Sequence, residues 1–284
     1  MPTDIIQWFP GHMAKTKRLI RESLNEVDVV IELLDARIPK SSKNPDLEEL
    51  VSSKPVITLL NKASLADPNA SALYKKRYEE KGKKLIITDC VSGKGLDELE
   101  EEVKNVLKDK IERYKEKGMT GRTVKAMVLG IPNVGKSSLI NKLTGAKKAN
   151  VENRPGVTLT KQWVKTGIGL DLLDMPGVLW PKFDDRIVGE NLAITGAIKD
   201  TVLQKDEVAM VLCLKLKKRY PDLLCSRYDL EKSEIEDLDG YDIFELIGRK
   251  RGLLIKGGEV NFDRCATMLL DEFRRGVIGK ITLE

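Results

Sequence analysis

The chain has 284 residues, of which 41% are hydrophobic and 33% charged, a balance that supplies core-forming sequence for one or two globular domains. Its longest apolar run, near Val208–Leu214, is far too short to span a bilayer, and Met1-Pro2-Thr3-Asp4 does not open a signal peptide, so no membrane association and a cytoplasmic location are expected. The net charge of +5 resides in residues 1–184, the remainder being slightly acidic, and the four cysteines (Cys90, Cys213, Cys225, Cys265) lack paired metal spacing and read as free thiols.

Residues 1–16, running through Gln7-Trp8-Phe9-Pro10-Gly11-His12-Met13-Ala14, predict a flexible arm broken by proline and glycine. A basic amphipathic helix follows from about Lys15 to Glu26. Three apolar runs, Val27–Leu34, Val56–Leu60 and Leu85–Thr88, alternate with charge-rich helical stretches, the pattern of a mostly parallel sheet covered by helices on both faces. Residues 95–117 read as one long charged helix ending at Gly118. A further strand, Thr123–Leu129, leads into a glycine-marked loop, and a helix starts at Lys136. Residues 144–161 read as a mobile polar loop, and Gln162–Thr166 with Leu170–Leu173 as a strand pair. Beyond about Asp184 helical periodicity takes over, so residues 17–184 are expected to form an α/β domain and residues 185–284 a smaller helical one.

The loop Gly130-Ile131-Pro132-Asn133-Val134-Gly135-Lys136-Ser137 has the spacing of a phosphate-binding loop. Glycines let backbone N–H groups of Asn133, Val134 and Gly135 turn toward phosphate oxygens, and the N-terminus of the following helix, at Ser137 and Ser138, adds partial positive charge. Lys136 is placed to reach the outer phosphates and Ser137 to ligate Mg²⁺. Asp174-Met175-Pro176-Gly177 supplies the partner carboxylate for the metal and, at Gly177, an N–H for the γ-phosphate. Thr158 is the expected switch threonine on Mg²⁺, with Thr160 a nearby competitor.

Asn61-Lys62-Ala63-Ser64 has three of the four residues of the guanine-reading motif Asn-Lys-x-Asp. A carboxylate at the fourth position accepts two hydrogen bonds from guanine, and a hydroxyl cannot, so Ser64 predicts weaker or less selective guanine binding. Asp67 stands close enough to be weighed as a substitute, but Ser64-x-x-Asp67 reads better as a capping box for the next helix. The segment Asp89-Cys90-Val91-Ser92-Gly93 follows the next strand, where its backbone would back the base. The base-reading motif precedes the phosphate loop, the reverse of the order in most small GTPases, which points to a circularly permuted, Ras-like P-loop domain. At the position of the water-orienting glutamine of Ras-like enzymes stands Val178, which can do no such work.

These motifs, together with Gln7-Trp8-Phe9-Pro10-Gly11-His12-Met13-Ala14-Lys15, Asp35-Ala36-Arg37-Ile38-Pro39, Leu179-Trp180-Pro181-Lys182 and Thr195-Gly196-Ala197-Ile198-Lys199-Asp200, make the chain resemble the circularly permuted GTPases of the YlqF/YawG type over nearly its whole length. The resemblance implies a GTPase that binds GTP and GDP and acts late in assembly of the large ribosomal subunit. It implies activation by the subunit precursor, contact between the helical domain and rRNA, and a monomer away from the ribosome. It also implies that His12, the only histidine, swings in to orient the attacking water. Asn133 is a candidate K⁺ ligand, by analogy with other GTPases that lack the glutamine. Basic clusters at Lys15-Lys17-Arg18-Arg21, Lys215-Lys217-Lys218-Arg219, Arg249-Lys250-Arg251 and Arg274-Arg275 are candidates for RNA contact. Two alternatives stay open: a relaxed-specificity NTPase, raised by Ser64, and a nucleotide-binding scaffold that hydrolyses little.

Overall fold

The computed structural model describes residues 12–118, 123–145, 162–167, 169–180, 183 and 185–284. Helix α1 (His12–Ser23) begins before the expected Lys15, because Met13, Thr16 and Ile20 bury one face at helical spacing and extend the helix back to the Pro-Gly pair. His12 is therefore the first residue of a helix rather than part of an irregular arm; its side chain, like residues 1–11, lies outside the described residues.

The first half then alternates strand and helix: β1 (Val29–Asp35), α2 (Pro45–Leu50), β2 (Val56–Asn61), α3 (Pro68–Glu79), β3 (Leu85–Ile87), α4 (Asp97–Val106) and α5 (Lys108–Glu116). The single long helix expected over 95–117 is two helices. Leu99, Val103, Leu107 and Ile111 recur every fourth residue, a spacing that rotates about 40° per step around a straight helix. The turn at Leu107 re-aims the stripe so that Leu107 is buried and Ile111 packs against the core.

The chain continues through β4 (Val124–Gly130), α6 (Lys136–Thr144), β5 (Gln162–Lys165) and β6 (Leu170–Asp174). Among the described residues the strands form one six-stranded sheet in the order β3-β2-β1-β4-β6-β5, parallel throughout except for β5 against β6. Every residue of β1 is buried, as expected of a central parallel strand covered on both faces. The register sets Asp35 beside Asn61, Leu33 beside Gly130 and Val128 beside Asp174. The carboxyl ends of β1, β2, β4 and β6 thus open on the same edge of the sheet, where ligands of open α/β sheets bind.

Helices α7 (Arg186–Ile194), α8 (Lys205–Arg219), α9 (Pro221–Tyr228), α10 (Lys232–Ile235), α11 (Gly240–Lys250) and α12 (Phe262–Arg274) complete the fold. Helix α8 is the centre of this region, with α11 and α12 packed on it. Cys265, Ala266, Leu269, Leu270 and Phe273 give α12 one continuous apolar face. Most buried side chains of sheet and helices form one continuous core, with a second, smaller cluster of Leu34, Ala36, Leu60, Ala66, Tyr78 and Leu85.

The segment after α12 returns to the nucleotide half. Ile281 N donates to Leu65 O (3.0 Å), Leu283 N to Arg37 O (2.8 Å) and Thr282 Oγ1 to Ala36 O (3.1 Å). It therefore lies across the loops that follow β1 and β2. None of the described helices is long and apolar enough to cross a membrane.

Candidate nucleotide-binding site

The phosphate loop leaves β4 at Gly130 and enters α6 at Lys136. Its tight course requires positive φ at Asn133 (58°) and Gly135 (110°). A Cβ on Gly135 would lie 2.3 Å from Asn61 Nδ2, so glycine is demanded by space as well as by conformation. Gly135 caps α6 without a side-chain acceptor, leaving the first N–H groups of the helix for an anion. Ser137 and Ser138 stand half-buried in that first turn.

Lys136 is buried, and its Nζ donates to Gly130 O (3.3 Å) and Ile131 O (3.0 Å), two carbonyls of its own loop. Burial pushes its ammonium down to about 8 against the pull of Asp174, with Lys62 adding repulsion. Neutral carbonyls are weak partners for a buried cation, so phosphate oxygens would be better ones. Asp174 ends β6, is 2% exposed, and its Oδ1 has no hydrogen-bond partner. Burial pushes its carboxyl up, opposed by Lys136. An orphaned carboxylate oxygen fits Mg²⁺, a hard cation that takes one or two carboxylates, phosphates and water. Accordingly the described residues contain no closed cage of three or more acidic, histidine or cysteine ligands.

Gly177 lets the loop after β6 approach the phosphate loop: a Cβ there would stand 2.7 Å from Pro132 and 3.0 Å from Lys136 Nζ. The neighbouring Val178 is fully buried; its N–H donates to Gly130 O (3.2 Å) and its carbonyl accepts from Asn44 Nδ2 (3.0 Å). The structure therefore puts an apolar, inward-turned residue where Ras-like enzymes carry a glutamine. Thr158, Thr160 and Pro181-Lys182 lie outside the described residues.

On the base side Asn61 acts as a clamp. Its Nδ2 donates to Val134 O (2.8 Å) in the phosphate loop and its Oδ1 accepts from Cys90 N (2.9 Å) in the loop after β3. Ala63 N donates to Thr88 O (3.1 Å), closing the two base-side loops on each other. Lys62, at φ 64°, reaches Asp35 Oδ2 (3.0 Å). Burial and the nearby Arg37 push Lys62 down to about 8.

Ser64 does not cap α3. Pro68 at the first helical position favours extended backbone at Asp67, and Asp67 itself caps, accepting from Asn69 N (2.8 Å). Ser64 Oγ, exposed, donates instead to Asp89 Oδ2. The other oxygen of Asp89 accepts from Val91 N (3.1 Å) and Ser92 N (2.9 Å). Burial disfavours this charge, but the hydrogen bonds from Ser64 and Ser92 hold the carboxyl below its usual range. Cys90 is buried, with burial pushing its thiol up to about 12, and takes part through its backbone.

Two connections escaped the sequence reading. Arg37, 1% exposed, makes a two-toothed ion pair with Asp35 (2.9 and 2.7 Å) and lies over the Phe273 ring (5.5 Å). Asp35-Ala36-Arg37 had signalled only family likeness, although an i,i+2 acid–base pair ending a buried strand is a charge that requires burial with its partner. Asn133 Nδ2 donates to Gly196 O (2.6 Å), joining the phosphate loop to the end of α7. Nothing in the spacing of the two segments marks that contact. Arg274, expected in a basic surface cluster, is instead internal: it pairs with both oxygens of Asp200 (2.8 Å each) and donates to Ile194 O and Ala193 O (3.0 Å each).

With this geometry in hand, the likenesses to known proteins are informative. A family described as 50S ribosome-binding GTPase matches residues 125–241, starting at β4 and leaving the upstream base-reading motif outside the match, as permutation requires. The chain is 45% identical over 279 residues to Ribosome biogenesis GTPase A of Bacillus pumilus, covering 98% of each protein. It is 35% identical over 302 residues to Mitochondrial ribosome-associated GTPase 1 of Ictalurus punctatus, covering 99% of this chain and 93% of that one. Its fold matches a structure described as GDP-bound TM YlqF with a TM-score of 0.64 and 25% identity, over 94% of this chain and 98% of the other. The circularly permuted P-loop GTPase fold is thereby borne out.

Proposed function

The chain belongs to the ribosome biogenesis GTPase A family and is a GTP-hydrolysing enzyme, and from that premise we propose that it drives a late step in assembly of the large ribosomal subunit, switched on by the subunit precursor. One observation carries this reading beyond the names of relatives: the phosphate loop is tied to the helical region through the hydrogen bond from Asn133 to Gly196. A change at the γ-phosphate thus has a short physical route to residues 185–284.

Within this reading Lys136 and the N-terminus of α6 hold the phosphates. Ser137, Asp174 and Thr158 hold Mg²⁺, which when bound neutralises charge on the β- and γ-phosphates. Val178 is inert toward water, so His12 at the start of α1 orients the attacking water. Asn133 is the K⁺ ligand. The helical region contacts rRNA, a reading supported by one surface groove in which Arg186, Lys215, Lys218 and Arg219, with Lys40, outnumber the acidic Asp185, Glu190 and Glu284. The protein works as a cytoplasmic monomer off the ribosome.

The test is GTP turnover with and without large-subunit precursors, in K⁺ and in Na⁺. Stimulation by the particle of orders of magnitude, as trans-acting activators achieve, is expected, with a sharp loss in Na⁺. Equal turnover with and without the particle would refute the assembly role, and equal rates in the two salts would remove K⁺ from it.

A further inference from the structure

At the base end of the site a carboxylate comes from the other loop. The guanine-reading motif ends in Ser64, yet the Ser64 hydroxyl donates to Asp89 Oδ2, a carboxylate delivered from the loop after β3. We propose that Asp89 and Ser64 together form the guanine-reading edge, with Asp89 the specificity-determining residue in place of the aspartate missing from the motif.

The donor and acceptor count supports this. Guanine presents two donors side by side, N1–H and the exocyclic N2–H, and needs two adjacent acceptors. Asp89 Oδ1 is occupied by the N–H groups of Val91 and Ser92, which fixes the carboxylate in place. Asp89 Oδ2 receives Ser64 Oγ–H, and the Ser64 backbone N–H also stabilises this carboxylate, so in the proposed edge a guanine donor shares an oxygen already fixed by Ser64. Ser64 Oγ–H points at Asp89 as a hydrogen-bond donor, so the lone pairs of Ser64 Oγ accept the second guanine donor. The two oxygens are hydrogen-bonded neighbours, so two acceptors stand side by side. Ser64 is exposed, so the edge opens outward from a buried, ionised anchor.

The edge is also held at a fixed distance from the phosphates. Asn61 bonds Val134 in the phosphate loop and Cys90 beside Asp89, so one side chain spans both ends of the nucleotide. Asp67, the other carboxylate near the motif, is committed elsewhere: it caps α3 and accepts from Tyr220 Oη (3.1 Å). Adenine would bring the N1 lone pair against this edge and be repelled by two acceptors, whereas a lone serine would reject it only weakly.

The inference rests on the GTP-binding reading, and the experiment separates the two. Affinities for GDP, xanthosine diphosphate and ADP are measured by calorimetry on the native chain, on Asp89→Asn, on Asp89→Ser and on the exchange Ser64→Asp/Asp89→Ser. Asp89→Asn keeps an oxygen for the Val91 and Ser92 N–H groups and presents an NH₂ to the base. It should lose GDP affinity about 10–100-fold and gain xanthosine diphosphate, whose C2 carbonyl wants a donor, a switch that a merely structural role would not produce. Asp89→Ser should lose GDP affinity similarly, and the exchange variant should recover it by restoring a carboxylate at position 64. Unchanged GDP preference in both single variants would overturn the assignment, as would failure of the exchange variant to recover any binding while its melting temperature stays native. Native protein that binds none of the three nucleotides would instead overturn the GTP-binding reading beneath it.

Discussion

The two ends of the nucleotide site are built from different material. At the phosphate end recognition is a property of backbone: a glycine at φ 110°, a helix start without a side-chain cap, and one lysine buried against loop carbonyls. At the base end the proposed recognition is assembled from side chains on two loops, Asn61 and Ser64 after β2 and Asp89 after β3, which hydrogen-bond to one another and to the phosphate loop. Backbone recognition tolerates little change and appears as one contiguous motif. Side-chain recognition can be redistributed, because a hydrogen-bonding edge depends on where oxygens stand and not on which residue carries them.

The contrast can be broken at either end, and the largest effect is expected beneath both. Among the described residues Asp35 is the sole carboxylate holding Arg37, and it also receives Lys62. Asp35→Ala strands buried positive charge and should cost about 3–5 kcal/mol of stability, read by chemical denaturation. Burial works against the Asp35 charge, but Arg37 and Lys62 hold its carboxyl well below the usual range. A carboxyl depressed in the folded state contributes stability that is present above its unfolded value of about 3.9 and is lost as pH falls below it. Native protein should therefore lose stability steeply below about pH 4, and Asp35→Ala should lose that part of the slope.

At the phosphate end Lys136→Ala should lower turnover on the order of 10²–10³-fold, because a preorganised charge at the outer phosphates is removed. Guanine-over-adenine preference should survive, and if it collapsed with the rate the two ends would not be separable. The smallest effect is expected at Asp67. Asp67→Ala removes the cap of α3 and the Tyr220 contact, costing about 1–2 kcal/mol of stability, with GDP affinity unchanged. A loss of guanine selectivity in that variant would return Asp67 to the base site.

The same contrast explains what was legible in the chain. Strands β1 to β4 and β6 were legible because largely buried parallel strands write continuous apolar runs, and the close approaches at Gly135 and Gly177 were legible because a Cβ there has no room. Ser64 announced a loss, yet the compensation proposed for it stayed hidden, since the loops after β2 and β3 are brought together by the parallel pairing of their strands and not by nearness in sequence. Asn133 on Gly196 and residues 281–284 on the loops after β1 and β2 were equally invisible, being contacts between segments distant in sequence with no shared periodicity. Helix breaks at Leu107 and the early start at His12 depended on which face packs, a tertiary matter that local charge does not reveal.

The most direct measurement is a competition of GDP against ADP for the native protein with Mg²⁺ and K⁺ present, with inosine diphosphate as a third competitor. Two adjacent acceptors at Ser64 and Asp89 should favour GDP over ADP by at least about a hundredfold and over inosine diphosphate, which lacks the exocyclic amine, by a smaller factor. Comparable affinities for GDP and ADP would contradict a reading edge at these residues and leave the phosphate end as the only specific part of the site.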